Sequence, residues 1–188
     1  MMVWEVLALA DGGANGGSSF VMTAGNLVVA GNLEFECELG DHDPEFLQTG
    51  GLAAVNGDVS WSGIAPGSGT PRMVIAGAQL DLNGEVGNTV GSTVDMYLEI
   101  SNGANVEANG SQFTLLHSTD SITITGGALR LLVGAGIINN GVFHDTGGDV
   151  YAGGNSSIPL TAQPDGIYAA CLFLEDRIVA HRILIERS

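Results

Sequence analysis

Apolar and polar side chains alternate along this chain in short runs punctuated by glycine. Leu33, Phe35, Cys37 and Leu39 interleave with Glu34, Glu36 and Glu38; Leu80 and Leu82 flank Asp81; Ile122 and Ile124 flank Thr123. A period of two turns successive side chains to opposite faces, so each run predicts a short strand with one buried face. No segment of 12 residues or more carries the 3.6-residue periodicity of an amphipathic helix. The pattern predicts an all-β protein.

The runs also recur. Aligned on a glycine that opens an alternating run, the chain repeats at Gly25, Gly51, Gly77, Gly103, Gly127 and Gly148, with spacings of 26, 26, 26, 24 and 21 residues. A second glycine closes the run at Gly31, Gly57, Gly84, Gly110 and Gly134, and Asn56, Asn83 and Asn109 precede three of these. An upstream strand leads in at Phe20, Met73, Tyr97 and Ile122, and a downstream strand follows at Asp58–Trp61, Ser111–Leu116 and Ile137–His144. Three short strands per unit make one turn of a parallel β-solenoid, whose coils bury their inward faces only by stacking, about 4.8 Å apart. About five to six coils are expected. The corner glycines are expected to supply positive φ, and stacked Asn amides to bond along their column. The competing architecture is an antiparallel β-sandwich or jelly roll with Asn-Gly hairpins. A near-constant long period, which hairpin sheets do not need, favours the solenoid.

The repeat divides the chain into an N-terminal cap or arm (1–19), a β-helix domain (20–155), and a linker with a C-terminal hairpin (156–188). The stretches 40–49, 64–71 and 153–166 break the repeat and read as loops. The last segment has a different texture: apolar runs at 167–174 and 178–186 flank Glu175-Asp176-Arg177, the pattern of a hairpin. It is expected to cap the open end of the stack or to join subunits.

Composition narrows the function. The 188 residues carry a net charge of −16, with 29 glycines and 5 prolines. There is no lysine, and residues 167–188 are electrically neutral, so the remainder carries the whole excess. That field repels nucleic acid and anionic membranes. No apolar run approaches the roughly 18 residues of a membrane span. The start lacks a basic leader region, which leads to the expectation of synthesis in a cytoplasm. Cys37 and Cys171 both fall in strand patterns and read as buried thiols.

Candidate chemistry is sparse. Asp41, Asp43 and Glu45 offer oxygens to Ca²⁺, yet the cluster lacks the other ligands and the glycine of an EF-hand loop, so a solvated loop is expected. Glu34, Glu36 and Glu38 read as a solvent-facing acidic strand face. His42, His117, His144 and His181 are scattered without zinc spacing, and His144-Asp145 has no accompanying nucleophile motif. Asp58, Asp81, Glu85, Glu99 and Glu107 lie on repeated coils where carboxylates can pair as in glycosidases. Thr123 and Thr125 make one pair rather than an array, and Gly12–Gly17 matches no phosphate-binding pattern. No catalytic, cofactor-binding or metal-ligating residue is assigned, no cofactor is expected, and the chain is read as a non-enzyme. An alternative carbohydrate-binding module requires an exposed aromatic platform, for which Trp61, Tyr97 and Tyr151 are the candidates.

The short coils, the absent lysine, the missing leader and the apolar C-terminal hairpin together resemble bacteriophage virion proteins. The likeness is to β-helical capsid decoration (cement) proteins, or to tail spike and fibre modules, and covers about residues 20–155. It implies a homotrimer in the virion that binds the major capsid protein or another virion protein. It carries over no functional residue.

Overall fold

The computed structural model describes residues 1–10, 18–37, 43–63, 70–132 and 134–153, and the backbone of 166–173 and 178–185. The chain winds as a three-sided coil. β1 (Met2–Trp4), β2 (Leu7–Ala10) and β3 (Ser19–Met22) make the first turn; β4 (Asn26–Val29), β5 (Leu33–Glu36) and β6 (Glu45–Gln48) the second. β7 (Leu52–Val55), β8 (Val59–Ser62) and β9 (Arg72–Ala76) follow, then β10 (Gln79–Leu82), β11 (Val86–Asn88) and β12 (Tyr97–Ser101). β13 (Asn105–Ala108), β14 (Gln112–Leu115) and β15 (Ser121–Thr125) form the fifth turn, and β16 (Ala128–Leu131), β17 (Gly136–Asn139) and β18 (Val142–Asp145) the sixth. β19 (Asp149–Ala152) opens a seventh, and β20 (Gly166–Phe173) with β21 (Ile178–Ile185) makes the C-terminal hairpin.

Each strand pairs with its counterpart one coil away. The first sheet runs β1-β4-β7-β10-β13-β16-β19, the second β2-β5-β8-β11-β14-β17, and the third β3-β6-β9-β12-β15-β18. Pairing in all three is parallel and in register, as in Leu80 beside Ala53 and Val106. The fold is therefore the parallel β-solenoid, with six complete coils among the described residues, and the antiparallel sandwich is set aside. The regular stack begins at Met2, so residues 2–10 supply the outermost strands of the first and second sheets.

Register turns the alternation of each strand into columns along the axis. In the second sheet Leu7, Leu33, Val59, Val86, Phe113 and Ile137 form one buried column, and Leu9, Phe35 and Trp61 open another. Like side chains stack: the Phe35 and Trp61 rings lie 4.8 Å apart at 11°, and Phe20 lies 5.4 Å from Phe46. Such offset aromatic pairs add stabilisation beyond their burial. Trp61 is wholly buried and its Nε1 donates to the Pro71 carbonyl at 3.1 Å, which satisfies its one polar atom.

The corners depart from the sequence reading in one physical respect. Positive φ occurs where the first sheet begins, at Gly25, Gly51, Gly77, Gly103, Gly126 and Gly147. Strand register aligns Gly25 and Gly51 with Ala78, Ala104, Gly127 and Gly148, so from the fourth coil onward the left-handed residue sits one position earlier. Gly57 and Gly84 do not have positive φ. They are required because successive corners nearly touch: a Cβ on Gly84 would lie 2.3 Å from the Gly57 carbonyl oxygen, and one on Gly57 2.6 Å from the Gly31 carbonyl carbon. The asparagines beside them do bond along the column. Asn83 Nδ2 donates to Asn56 Oδ1 at 3.0 Å, and Asn109 Nδ2 donates to Asn83 Oδ1 at 3.1 Å.

Two other expectations change. Glu45–Gln48 is strand β6, where the sequence reading placed a loop over 40–49; residues 38–42 lie outside the described residues. The strand is masked in sequence because Gln48 takes an inward position beside Met22 and Ile75, breaking the apolar alternation. It is fully buried, and its amide donates to the Gly51 and Gln79 carbonyls. Ile137–His144, read as one strand, is two, with a corner at Asn140-Gly141.

Two predictions follow from the corners. Gly84→Ala forces a carbonyl contact and is expected to cost roughly 2–4 kcal/mol, seen as a lower urea midpoint with intact β circular dichroism. Asn83 makes two ladder bonds and Asn56 and Asn109 one each, so Asn83→Ala is expected to cost about 1–2 kcal/mol and about twice either neighbour's loss in the same assay.

Candidate functional site

The outward face of the first sheet changes character along the axis. Its central outward column reads Val3, Val28, Ala54, Asp81, Glu107, Arg130, Tyr151, and the column beside it Asn26, Leu52, Gln79, Asn105, Ala128, Asp149. The third sheet repeats the change with Val21, Leu47 and Val74 followed by Glu99, Thr123 and His144. Along the central columns of these two sheets the early coils are thus apolar outside and the later coils polar, while the third sheet's other outward column carries Ser19, Glu45 and Arg72 in the early coils.

The polar half is knitted together. Gln79 Nε2 donates to Asp81 Oδ1 at 3.1 Å and Asn105 Nδ2 to Glu107 Oε1 at 3.0 Å, each amide serving the carboxylate two residues on. Arg130 Nε donates to Asn105 Oδ1 at 2.8 Å, and its guanidinium lies 4.5 Å from the Tyr151 ring centroid. That stacking is a cation–π contact. Shallow open troughs flank Arg130, one bordered by Asn105, Ala128 and Asp149 and the other by Tyr151 and Gly153.

Of the carboxylates proposed for pairing, Asp81 and Glu107 are direct register neighbours. Glu99 stands on the third sheet, while Asp58 and Glu85 sit at a corner, where Asp58 Oδ1 accepts the Glu85 amide at 2.9 Å. Glu34 and Glu36 face outward from β5, as read, and Glu38 lies outside the described residues. In the Asp41–Glu45 cluster, Asp43 accepts from the Thr70 amide and Glu45 pairs with Arg72 at 2.9 Å; Asp41 and His42 lie outside the described residues. His144 is exposed beside Thr123, and Asp145 Oδ1 accepts from the Gly147 and Gly148 amides. The aromatic platform is corrected: Trp61 is core, and Tyr97 and Tyr151 stand on different sheets. Cys37 is buried, and Cys171 opposes Ala180 in the hairpin.

The densest polar constellation lies elsewhere, at the corner between the second and third sheets in coils four and five. Asp120 is wholly buried. Its Oδ1 accepts from the Met96 amide at 2.8 Å, its Oδ2 from the His117 amide at 2.8 Å, and Asn88 Nδ2 lies 3.1 and 3.3 Å from the two oxygens. His117 Nδ1 is 3.0 Å from Asn88 Nδ2, 3.6 Å from Asp120 Oδ1 and 3.9 Å from Asp95 Oδ1. Thr119 donates to Asp95 Oδ1 at 2.6 Å. The sequence reading missed this group because His117 and Asp120 meet Asp95 only through a turn of the coil. The signal was the repeat itself, since Asp95 precedes Asp120 by 25 residues, about one period.

The fold defines the class: a three-sided parallel β-solenoid with a hairpin appended. Comparison with known proteins goes no further, because no family model, no curated protein and no solved structure matches the chain.

Tyr97 gives the later coils a pH-dependent feature. Burial raises its pKa above 10.0, helped by the Glu99 carboxylate, which repels the phenolate and accepts the phenol hydrogen bond at 3.4 Å. The unfolded chain ionises first, so the proton-linked stability is complete below pH about 10 and is lost as pH rises through the folded value. In a phenolate absorbance titration, one of the three tyrosines is expected to ionise late. Tyr97→Phe should remove that step, and Glu99→Gln should move it only part of the way back, because burial remains.

Proposed function

We propose that this chain is a non-enzymatic structural protein of an assembled particle, a decoration protein of the bacteriophage virion type that attaches to the major capsid protein and associates as a homotrimer. The division of the outer surface along the axis carries this reading. Met2, Val3, Trp4, Val6 and Val21 of the first coil are 42–57% exposed. Val3 and Val21 continue into apolar outward columns of the next two coils, whereas Met2 and Trp4 stand in register with the buried Leu27 and Val29. Apolar surface of that extent on a rigid stack suits a protein partner. The later coils place acidic and amide groups outward, which keeps a crowded coat soluble.

The hairpin supports the same reading. Gly166–Phe173 and Ile178–Ile185 pair antiparallel as a two-stranded ribbon, and such a ribbon is at best marginally stable alone. The carboxylates that would serve a glycosidase, Asp81 and Glu107, are each held by an amide of their own strand, an arrangement suited to a stable surface.

Light scattering of the full chain, with and without residues 167–188, tests the proposal. A trimer that falls to monomer on truncation, with β circular dichroism retained, is the expected result. A full-length chain that stays monomeric at all concentrations, and binds immobilised glycans, overturns it in favour of a carbohydrate-binding module.

A further inference from the structure

We propose that Asp95, His117, Asp120 and Asn88 form a binding site for a divalent transition-metal ion, with Zn²⁺ the best match, which fastens the corner of coil four to that of coil five. One ligand atom from each of Asp95, His117 and Asp120 lies within 4.8 Å of the others. Zinc holds nitrogen and oxygen ligands at about 2.0–2.2 Å, which places tetrahedral ligand atoms about 3.4 Å apart. The separations of 3.6 and 3.9 Å about His117 Nδ1 need only a small contraction.

Asn88 supplies the independent sign. Its Nδ2 has two hydrogens, yet it lies at bonding distance from the Val94 carbonyl at 2.8 Å, from His117 Nδ1 and from both Asp120 oxygens. Its Oδ1 is buried and accepts nothing. Without a cation, the Asp120 carboxylate and the Val94 carbonyl draw the N–H end of the amide inward and leave its carbonyl unserved, a costly arrangement for a buried oxygen. A metal ion reverses the preference. The amide turns, giving up its bond to the Val94 carbonyl, and Oδ1 becomes the fourth ligand of a four-coordinate shell.

Charge points the same way. Among the described residues, Asp120 is buried with no arginine beside it. The chain has no lysine, Arg72 is engaged with Glu45, and Arg130 with Asn105 and Tyr151. A dication neutralises the two carboxylates. The imidazole nitrogen selects a borderline ion over Ca²⁺, which prefers an all-oxygen shell.

The test uses the full-length protein, stripped with EDTA and returned to metal-free buffer. Zn²⁺ followed by calorimetry, and Co²⁺ followed by its visible d–d bands, are expected to bind at one ion per chain, with Zn²⁺ raising Tm. His117→Gln and Asp95→Asn alter side chains that are 32% and 43% exposed, so the metal-free Tm is expected to hold. Each should weaken Zn²⁺ binding more than tenfold. The proposal is overturned by the absence of saturable Zn²⁺ binding, or by binding that both substitutions leave intact. Ca²⁺ binding of equal strength with the same dependence on His117 and Asp95 overturns the choice of ion.

Discussion

Everything in this molecule depends on the parallel, in-register hydrogen bonding of each strand to its counterpart one coil away. Such pairing fixes the coil spacing at about 4.8 Å and places every side chain directly above and below a neighbour from the adjacent turn. A residue is therefore acceptable only if it tolerates its column. Phe35 on Trp61 and Phe20 on Phe46 stack as rings. Gly31, Gly57 and Gly84 have no side chain because the corner backbones come too close for one. Asn56, Asn83 and Asn109 succeed where a charged residue would repel its own copy.

Much of this was legible in the sequence, for a physical reason. Register converts spacing along the chain into adjacency in space, so a period near 26 residues reveals coils as directly as a period of two reveals strands. The glycine anchors, the Asn column and the outward Glu34 and Glu36 all came from these two periods. What escaped is what violates one of them. Gln48 occupies an inward position and hides β6, because a buried amide looks like a surface residue until its two carbonyl partners are seen. Trp61 looked available for sugar stacking because an aromatic residue on a short strand gives no hint of which face is inside. Gly57 and Gly84 were assigned the right residue type for the wrong reason, since close approach leaves the same mark on a sequence as positive φ.

The Asp120 corner was illegible for a further reason: its parts follow no motif spacing along the chain. Asn88 interrupts a column of large apolar residues, Asp95 lies on the long connection from β11 to β12, and His117 and Asp120 lie on the connection from β14 to β15. Only the stacking of coil five on coil four joins them. The same stacking sorts the central outward columns of the first and third sheets, apolar in the early coils and polar in the later ones, although no single strand shows the division.

The arrangement of the bonds also makes the solenoid mechanically anisotropic. The hydrogen bonds of its three sheets run along the axis, from coil to coil. A pull along the axis at a terminal strand therefore opens one pairing at a time, as a zipper opens, whereas a sideways load across the stack is shared by many pairings at once. A module built this way resists lateral shear on a surface far better than it resists being peeled from its end, so the end held by the fewest bonds is the one to be anchored.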